Sequence, residues 1–398
     1  MKKLFAVVLF LVLAAFVFAA SEEIALYTYI FNNVTDTYEG QLELLQSMAE
    51  QDVKGAGEFY AKALERLVRE SGGIKNATQQ SFANEQAILL SKLIGQEKYA
   101  AAAGNLWRVV DSFSAPLVRA EAMMALGKIR ATQFLPQIIK ILNDLNEAQT
   151  NDPMNSERIA YGAIVALEKY QDIKCYLPVY FASKAGWYTE RVKSQAAKSM
   201  EIICPDPTQP MIEVLKSPAY NYEIKTTALL SMEASNAPKA SKAAVALVAY
   251  NEAWTSATTD VRLIGQLRTM RKIAMRVIRA NGCSDPAVYP LLHKSYIQYA
   301  ESDRSDADQD ETTQAILTLS ALGTEQAAKN LSGYITDILG KLKSGTLRRK
   351  EESLVRELIP ALGATKQPAG KDVLNAVIYS NFTEAVKKLA RDALGQIQ

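Results

Sequence analysis

Histidine is nearly absent from this chain. There is one, His293, in 398 residues. It follows Leu291 and Leu292 on a helical stretch, with no Cys or carboxylate at a metal-ligand spacing from it. A Ser–His–Asp or Cys–His mechanism needs an imidazole oriented by a third group, and no nucleophile motif lies near this one. His293 therefore reads as a partly exposed helix residue. Cysteine is nearly as scarce, with only Cys175, Cys204 and Cys283. Charge of one sign is missing too. Lys plus Arg total 45 against 43 for Asp plus Glu, a balance that argues against a nucleic-acid binder. Past residue 20 no apolar run is long enough to span a bilayer.

The N-terminus carries the one long apolar run. Lys2 and Lys3 precede a nearly unbroken stretch from Leu4 to Phe18. Val17-Phe18-Ala19 then sets small residues three and one before a cleavage point, with Ala20 and Ser21 following. This is the pattern of a secretory signal peptide over residues 1–20. An uncleaved anchor is the alternative, but the run is short for a span of about 20 residues. No Cys stands at the cut to take a lipid. The short basic head is of the bacterial kind and points to the periplasm or the exterior. Removing Lys2 and Lys3 leaves 43 basic against 43 acidic residues, so the mature chain is formally neutral.

What the chain does have is a repeat. Residues 21–37 show no clear period, and from Tyr38 the sequence reads as helix almost throughout. Leu42, Leu45 and Met48 start one helix; Phe59, Ala63, Leu64 and Leu67 mark the next, stopped at Ser71-Gly72-Gly73. Residues 21–80 are expected to cap an array that runs over 81–398. The clearest unit is Pro116 to Leu142. Val118, Ala122, Ala125, Leu126 and Ile129 recur at spacings of three and four and give an amphipathic helix. A turn follows in which Thr132 is placed to cap a second helix. That helix carries Leu135, Ile138, Ile139 and Leu142 on its apolar side and Pro136 in its first turn, where a missing N–H costs little. Ala122, Ala163, Ala196, Ala228, Ala274 and Ala315 return about 30 to 45 residues apart, a period of helical repeat arrays. Leu135-Pro136, Leu177-Pro178 and Tyr289-Pro290 repeat early in second helices, and the turns Cys204–Pro207, Ser235–Pro238 and Cys283–Pro286 repeat between helices.

The string VR-x-x-A-x-x-A-L-G at Val118 to Gly127, with the prolines Pro136 and Pro178, resembles the HEAT repeat family, including the HEAT-like repeats of phycobilisome lyases. Other units match more loosely, lacking the Val-Arg pair or the Gly. The resemblance implies an all-α solenoid of antiparallel helix pairs, stacked right-handed and curved into a superhelix, with protein binding along one face.

Several groups invite a sharper reading. Cys204 and Cys283 occupy equivalent turns about two repeats apart. With layers about 8–10 Å apart they lie beyond the roughly 7 Å that a disulfide allows. A Cys175–Cys204 bridge between adjacent turns stays open, beside three inert buried thiols. Asp306-Ala-Asp308-Gln-Asp310-Glu311 hints at a calcium loop. The sixth and twelfth places, however, are Glu311 and Leu317 rather than Gly and Glu, so a solvated acidic loop is the expectation. Arg268, Lys272, Arg276 and Arg279 form a basic stripe on the helix that begins near Thr258, with Arg262 and Arg271 nearby. It reads either as a docking face for an acidic partner or as a solvated face neutralised by the Asp306–Glu311 loop. Aromatics crowd around Tyr170 to Tyr188, and Trp187-Tyr188, beside a turn, is the pair expected to be exposed for a partner. Two long polar connections, Asn146–Ser156 and Glu301–Thr312, are of the kind that maps to the working face of a repeat protein.

The expectation is a secreted, periplasmic, non-catalytic HEAT-repeat scaffold that binds a protein partner, with no cofactor and no nucleic acid. A lyase-like or cofactor-handling protein and a cell-envelope surface module are the alternatives.

Overall fold

The computed structural model describes residues 22–300 and 309–397. The signal-like segment 1–20 and most of the acidic connection after Glu301 lie outside the described residues. The chain folds as two compact units that part between Pro205 and Asp206, within the Cys204–Pro207 turn.

The first unit contains α1 (22–33), α2 (Tyr38–Glu50), α3 (Gly57–Ser71), α4 (Ala77–Glu97), α5 (Ala103–Ser112), α6 (Pro116–Lys128), α7 (Leu135–Glu147), α8 (Pro153–Tyr170), α9 (Tyr176–Lys184) and α10 (Glu190–Ile203). From α2 on they form two layers. The even-numbered helices pack side by side in one layer, α3 and α5 neighbour each other in the second, as do α7 and α9, and each odd helix lies against an even one. The layering starts at α2, inside the stretch expected to cap the array. The unpatterned lead-in is also helical: α1 is held by Phe31, which is buried edge-on against Phe59 with ring centroids 5.4 Å apart.

The second unit repeats the plan with α11 (Thr208–Lys216), α12 (Tyr222–Ala234), α13 (Lys239–Thr255), α14 (Val261–Asn281), α15 (Val288–Ala300), α16 (Gln309–Leu322), α17 (Glu325–Lys343), α18 (Arg349–Ala364), α19 (Lys371–Ile378) and α20 (Glu384–Gln396). Even helices from α12 to α20 make one layer and odd helices from α11 to α19 the other. The described residues hold helices and no strands, so the fold is an all-α, HEAT-like solenoid of stacked helix pairs.

The recurring alanines explain the layering. Ala122, Ala163 and Ala196 in the first unit, and Ala228, Ala274 and Ala315 in the second, lie one on each successive even helix, all fully buried. Small residues let the backbones come close. A Cβ added to Gly127 of α6 would sit 2.6 Å from the Ala166 carbonyl oxygen of α8; one added to Gly162 of α8 would sit 2.6 Å from Cα of Ala120. Both contacts advance in the same direction along the two helices, so α6 and α8 run parallel. Side chains bind each pair to the next at one-repeat intervals: the Asn105 amide donates to Ala61 O at 3.1 Å, and the Tyr170 hydroxyl to Ala131 O at 3.1 Å.

The turns after α2, α4, α6, α8, α16 and α18 share a device that the sequence hides. Asp52, Lys98, Arg130, Gln171 and Lys366 adopt φ between 52° and 56°, and Gly323 adopts 60°, each directly after or within two residues of an even helix. The left-handed residue turns the chain back over its own last carbonyls. After α4, α6, α8 and α18 a short 3-10 turn then leads into the next helix. This corrects the role expected for Thr132. It opens the 3-10 turn Thr132–Phe134 and does not cap α7, whose N-cap is Phe134 without a side-chain bond. Pro136, Pro178 and Pro290 all fall within the first three residues of α7, α9 and α15.

Gly127→Ala should lower stability by about 1–3 kcal/mol, because backbone atoms of Ala166 cannot move aside cheaply. Gly333→Ala, in the exposed middle of α17 with nothing within 4 Å of the new Cβ, should raise it by about 0.5–1 kcal/mol. Paired thermal and denaturant unfolding of the two variants checks both signs.

Candidate functional site

The amino-terminal halves of α6, α8 and α10 enclose a groove of about 460 Å³ on the even layer of the first unit. These helices turn one stripe toward the odd layer. The stripe between two packed faces is left uncovered, and there Leu117 is 50% exposed and Met154 66% exposed. Met124 and Tyr161 continue the apolar floor. The rim is charged. The Arg191 guanidinium lies over the Tyr161 ring, 4.7 Å from its centroid. Glu157 accepts the Thr189 hydroxyl at 3.2 Å and the Thr189 N–H, which anchors the start of α10. Burial pushes the Glu121 carboxyl above its ordinary range, and the positive charges of Lys92 and Lys128 only partly pull it back. An apolar floor with a few fixed polar groups suits recognition of a side chain or short segment.

Sequence reasoning missed Leu117, Met154, Tyr161 and Arg191. One signal pointed there: Met154 stands in the first turn of α8, at the end of the polar Asn146–Ser156 connection.

The residues that the sequence singled out lie elsewhere. Tyr188 is only 4% exposed, which corrects the expectation of an open aromatic pair. Trp187 is half-buried and its indole N–H donates to Leu145 O at 3.3 Å. The loop after α9 folds back onto the preceding repeat, so the pair closes the stack. Burial raises the Tyr188 phenol to about 12.

The basic stripe of α14 is largely committed inside its own unit. Arg276 makes a bidentate pair with Glu233 of α12 at 3.0 and 2.6 Å. Lys272 meets Asp310 of α16 at 3.0 Å, and Arg279 donates to Gln314 at 2.8 Å. Arg268 is half-buried, and its Nε has no hydrogen-bond partner. The neighbour counted only as added charge, Arg271, proves central. Its guanidinium makes two bonds to Glu311, at 2.7 and 2.9 Å, and stacks 4.2 Å from the Trp254 ring centroid. Both side chains are at most 5% exposed. Ser295 adds a bond to Glu311 at 2.9 Å, and Tyr250 bonds Ser295 at 2.6 Å. Four helices, α13 to α16, are thus joined through one buried ion pair. Asp310 and Glu311 are therefore both engaged by cations, while Asp306 and Asp308 lie outside the described residues.

None of the three cysteines is in a disulfide. Cys175 is fully buried, and burial pushes its thiol up to about 12, so it stays protonated. His293 stands on the exposed side of α15 with Nδ1 3.1 Å from the Tyr334 hydroxyl oxygen and its ring stacked on that phenol.

Glu311→Gln should cost about 3–5 kcal/mol, since it strands the Arg271 charge in the core. The double change Arg271→Met with Glu311→Leu should recover most of that loss. A double-mutant cycle by denaturant unfolding measures the difference.

Residues 118–144 match the family model of the PBS lyase HEAT-like repeat, a stretch that covers most of α6, the turn and most of α7. A search of curated proteins finds no match. The match falls on the unit with the clearest period, and the same layered pairing extends through both units. The described residues thus form an all-α stack of helix pairs in which one unit, residues 118–144, matches a HEAT-like repeat.

Proposed function

We propose that this chain is a secreted, periplasmic scaffold, without catalysis of its own, that binds a protein partner along the even layer of its first unit. The groove of α6, α8 and α10 is the observation that carries this reading. It exposes Leu117 and Met154, large apolar side chains left at least half open to solvent, beside ordered charged groups. Clustered apolar exposure of this kind marks an interaction site more often than chance decoration. The N-terminal pattern of Lys2, Lys3, Leu4–Phe18 and Val17-Phe18-Ala19 supports secretion. A protonated Cys175 and a Tyr334-bound His293 fit a binding role better than a nucleophilic one. A lyase-like or cofactor-handling role has the repeat match alone in its favour.

A photo-crosslinking residue at Met154, in the full chain expressed in its native envelope, should yield a discrete adduct. The same residue at Lys140, exposed on α7 in the odd layer, should not. Equal labelling at both positions would contradict a docking groove. The mature protein should be recovered from the periplasmic fraction starting at Ala20 or Ser21; recovery from the cytoplasm with Met1 intact would refute secretion.

A further inference from the structure

We infer that the opposite end of the same layer is a second contact for that partner, and that it takes an extended acidic segment with carboxylates about three residues apart. A cavity of about 620 Å³ opens where α4, α6 and α8 end. Lys98, Lys128, Arg130 and Lys169 line it, all exposed, and no carboxylate is among the described residues of its lining. Lys169 is spent on Glu168 at 2.7 Å, and Glu168 is held in place by Ser199 at 2.8 Å. Lys98, Lys128 and Arg130 have no ion pair among the described residues; Arg130 reaches only the neutral Gln171 amide, at 3.3 Å.

Three carbonyls near the ends of α4 and α6 accept bonds from the left-handed turns. Tyr99 N–H bonds Ile94 O at 3.2 Å, Arg130 N–H bonds Gly127 O at 3.0 Å and Ala131 N–H bonds Leu126 O at 3.0 Å. The turn also sets where the charges stand, because Lys98 and Arg130 are the left-handed residues at equivalent places one repeat apart. The turns after α4 and α6 therefore each project a cation, at the spacing of neighbouring helices, about 8–10 Å. An extended chain advances about 3.3 Å per residue, so side chains three apart match that ladder. A single phosphate would reach only one rung of it.

The inference rests on the partner being a protein. It is tested with a fluorescein-labelled peptide Glu-Ser-Ser-Glu-Ser-Ser-Glu and the full chain at low salt, read by anisotropy. Binding is expected, weakening as salt rises. The triple variant Lys98→Gln, Lys128→Gln, Arg130→Gln should lose at least tenfold in affinity at unchanged melting temperature. The triple Lys98→Arg, Lys128→Arg, Arg130→Lys should retain it, as should Lys54→Gln with Lys140→Gln, which removes charge elsewhere in the same unit. No binding, equal binding by the neutralised triple, or displacement by inorganic pyrophosphate at the peptide's own concentration would overturn the inference. A Met154 adduct in the envelope without peptide binding would overturn it alone and leave the protein-binding reading standing.

Discussion

The close approach of parallel helices in the even layer is the constraint on which the rest depends. Where α6 meets α8, backbone touches the space that a Cβ would fill, at Gly127 and at Gly162. Such proximity is possible only with Ala and Gly at the crossing, and it brings dispersion contacts that wider spacing forfeits. One helix pair buries its stripe only when the next pair covers it. Within each unit the core therefore lies between the two layers, and its neighbours are one repeat away in sequence.

That dependence explains which features were legible. The six alanines from Ala122 to Ala315 lie at zero exposure, one on each successive even helix from α6 to α16, where a small buried residue recurs with the repeat. The prolines Pro136, Pro178 and Pro290 were legible because helix starts tolerate them regardless of tertiary context. The lead-in helix α1 was not, since it has no stripe of its own repeat kind and is held by the Phe31–Phe59 contact and a Tyr27–Gln51 hydrogen bond. The left-handed turns were hidden because Lys98, Arg130 and Gln171 stand where glycine would have announced them.

Site residues were less legible than core residues, for a physical reason. An aromatic pair such as Trp187-Tyr188 has the same composition whether it covers a neighbouring repeat or faces a partner. A stripe such as Arg268, Lys272, Arg276 and Arg279 is a docking face or an internal lattice depending on groups about 40 residues away, at Glu233 and Asp310. The same holds for the buried pair of Arg271 with Glu311. The groove was partly foreshadowed by the polar connection that ends at Met154. The outward sides of the even helices are where packing makes the least demand, so the core pattern carries no signal for what stands there.

Native-state hydrogen exchange across the first unit tests the central claim most directly. If each pair depends on its neighbour's cover, amides of Ala122, Ala125 and Leu126 in α6 and of Ala163 and Leu167 in α8 open together, with one shared free energy and the same denaturant slope. Opening of α6 at a free energy well below that of α8 would mean that the pairs are stable singly, and would contradict the account.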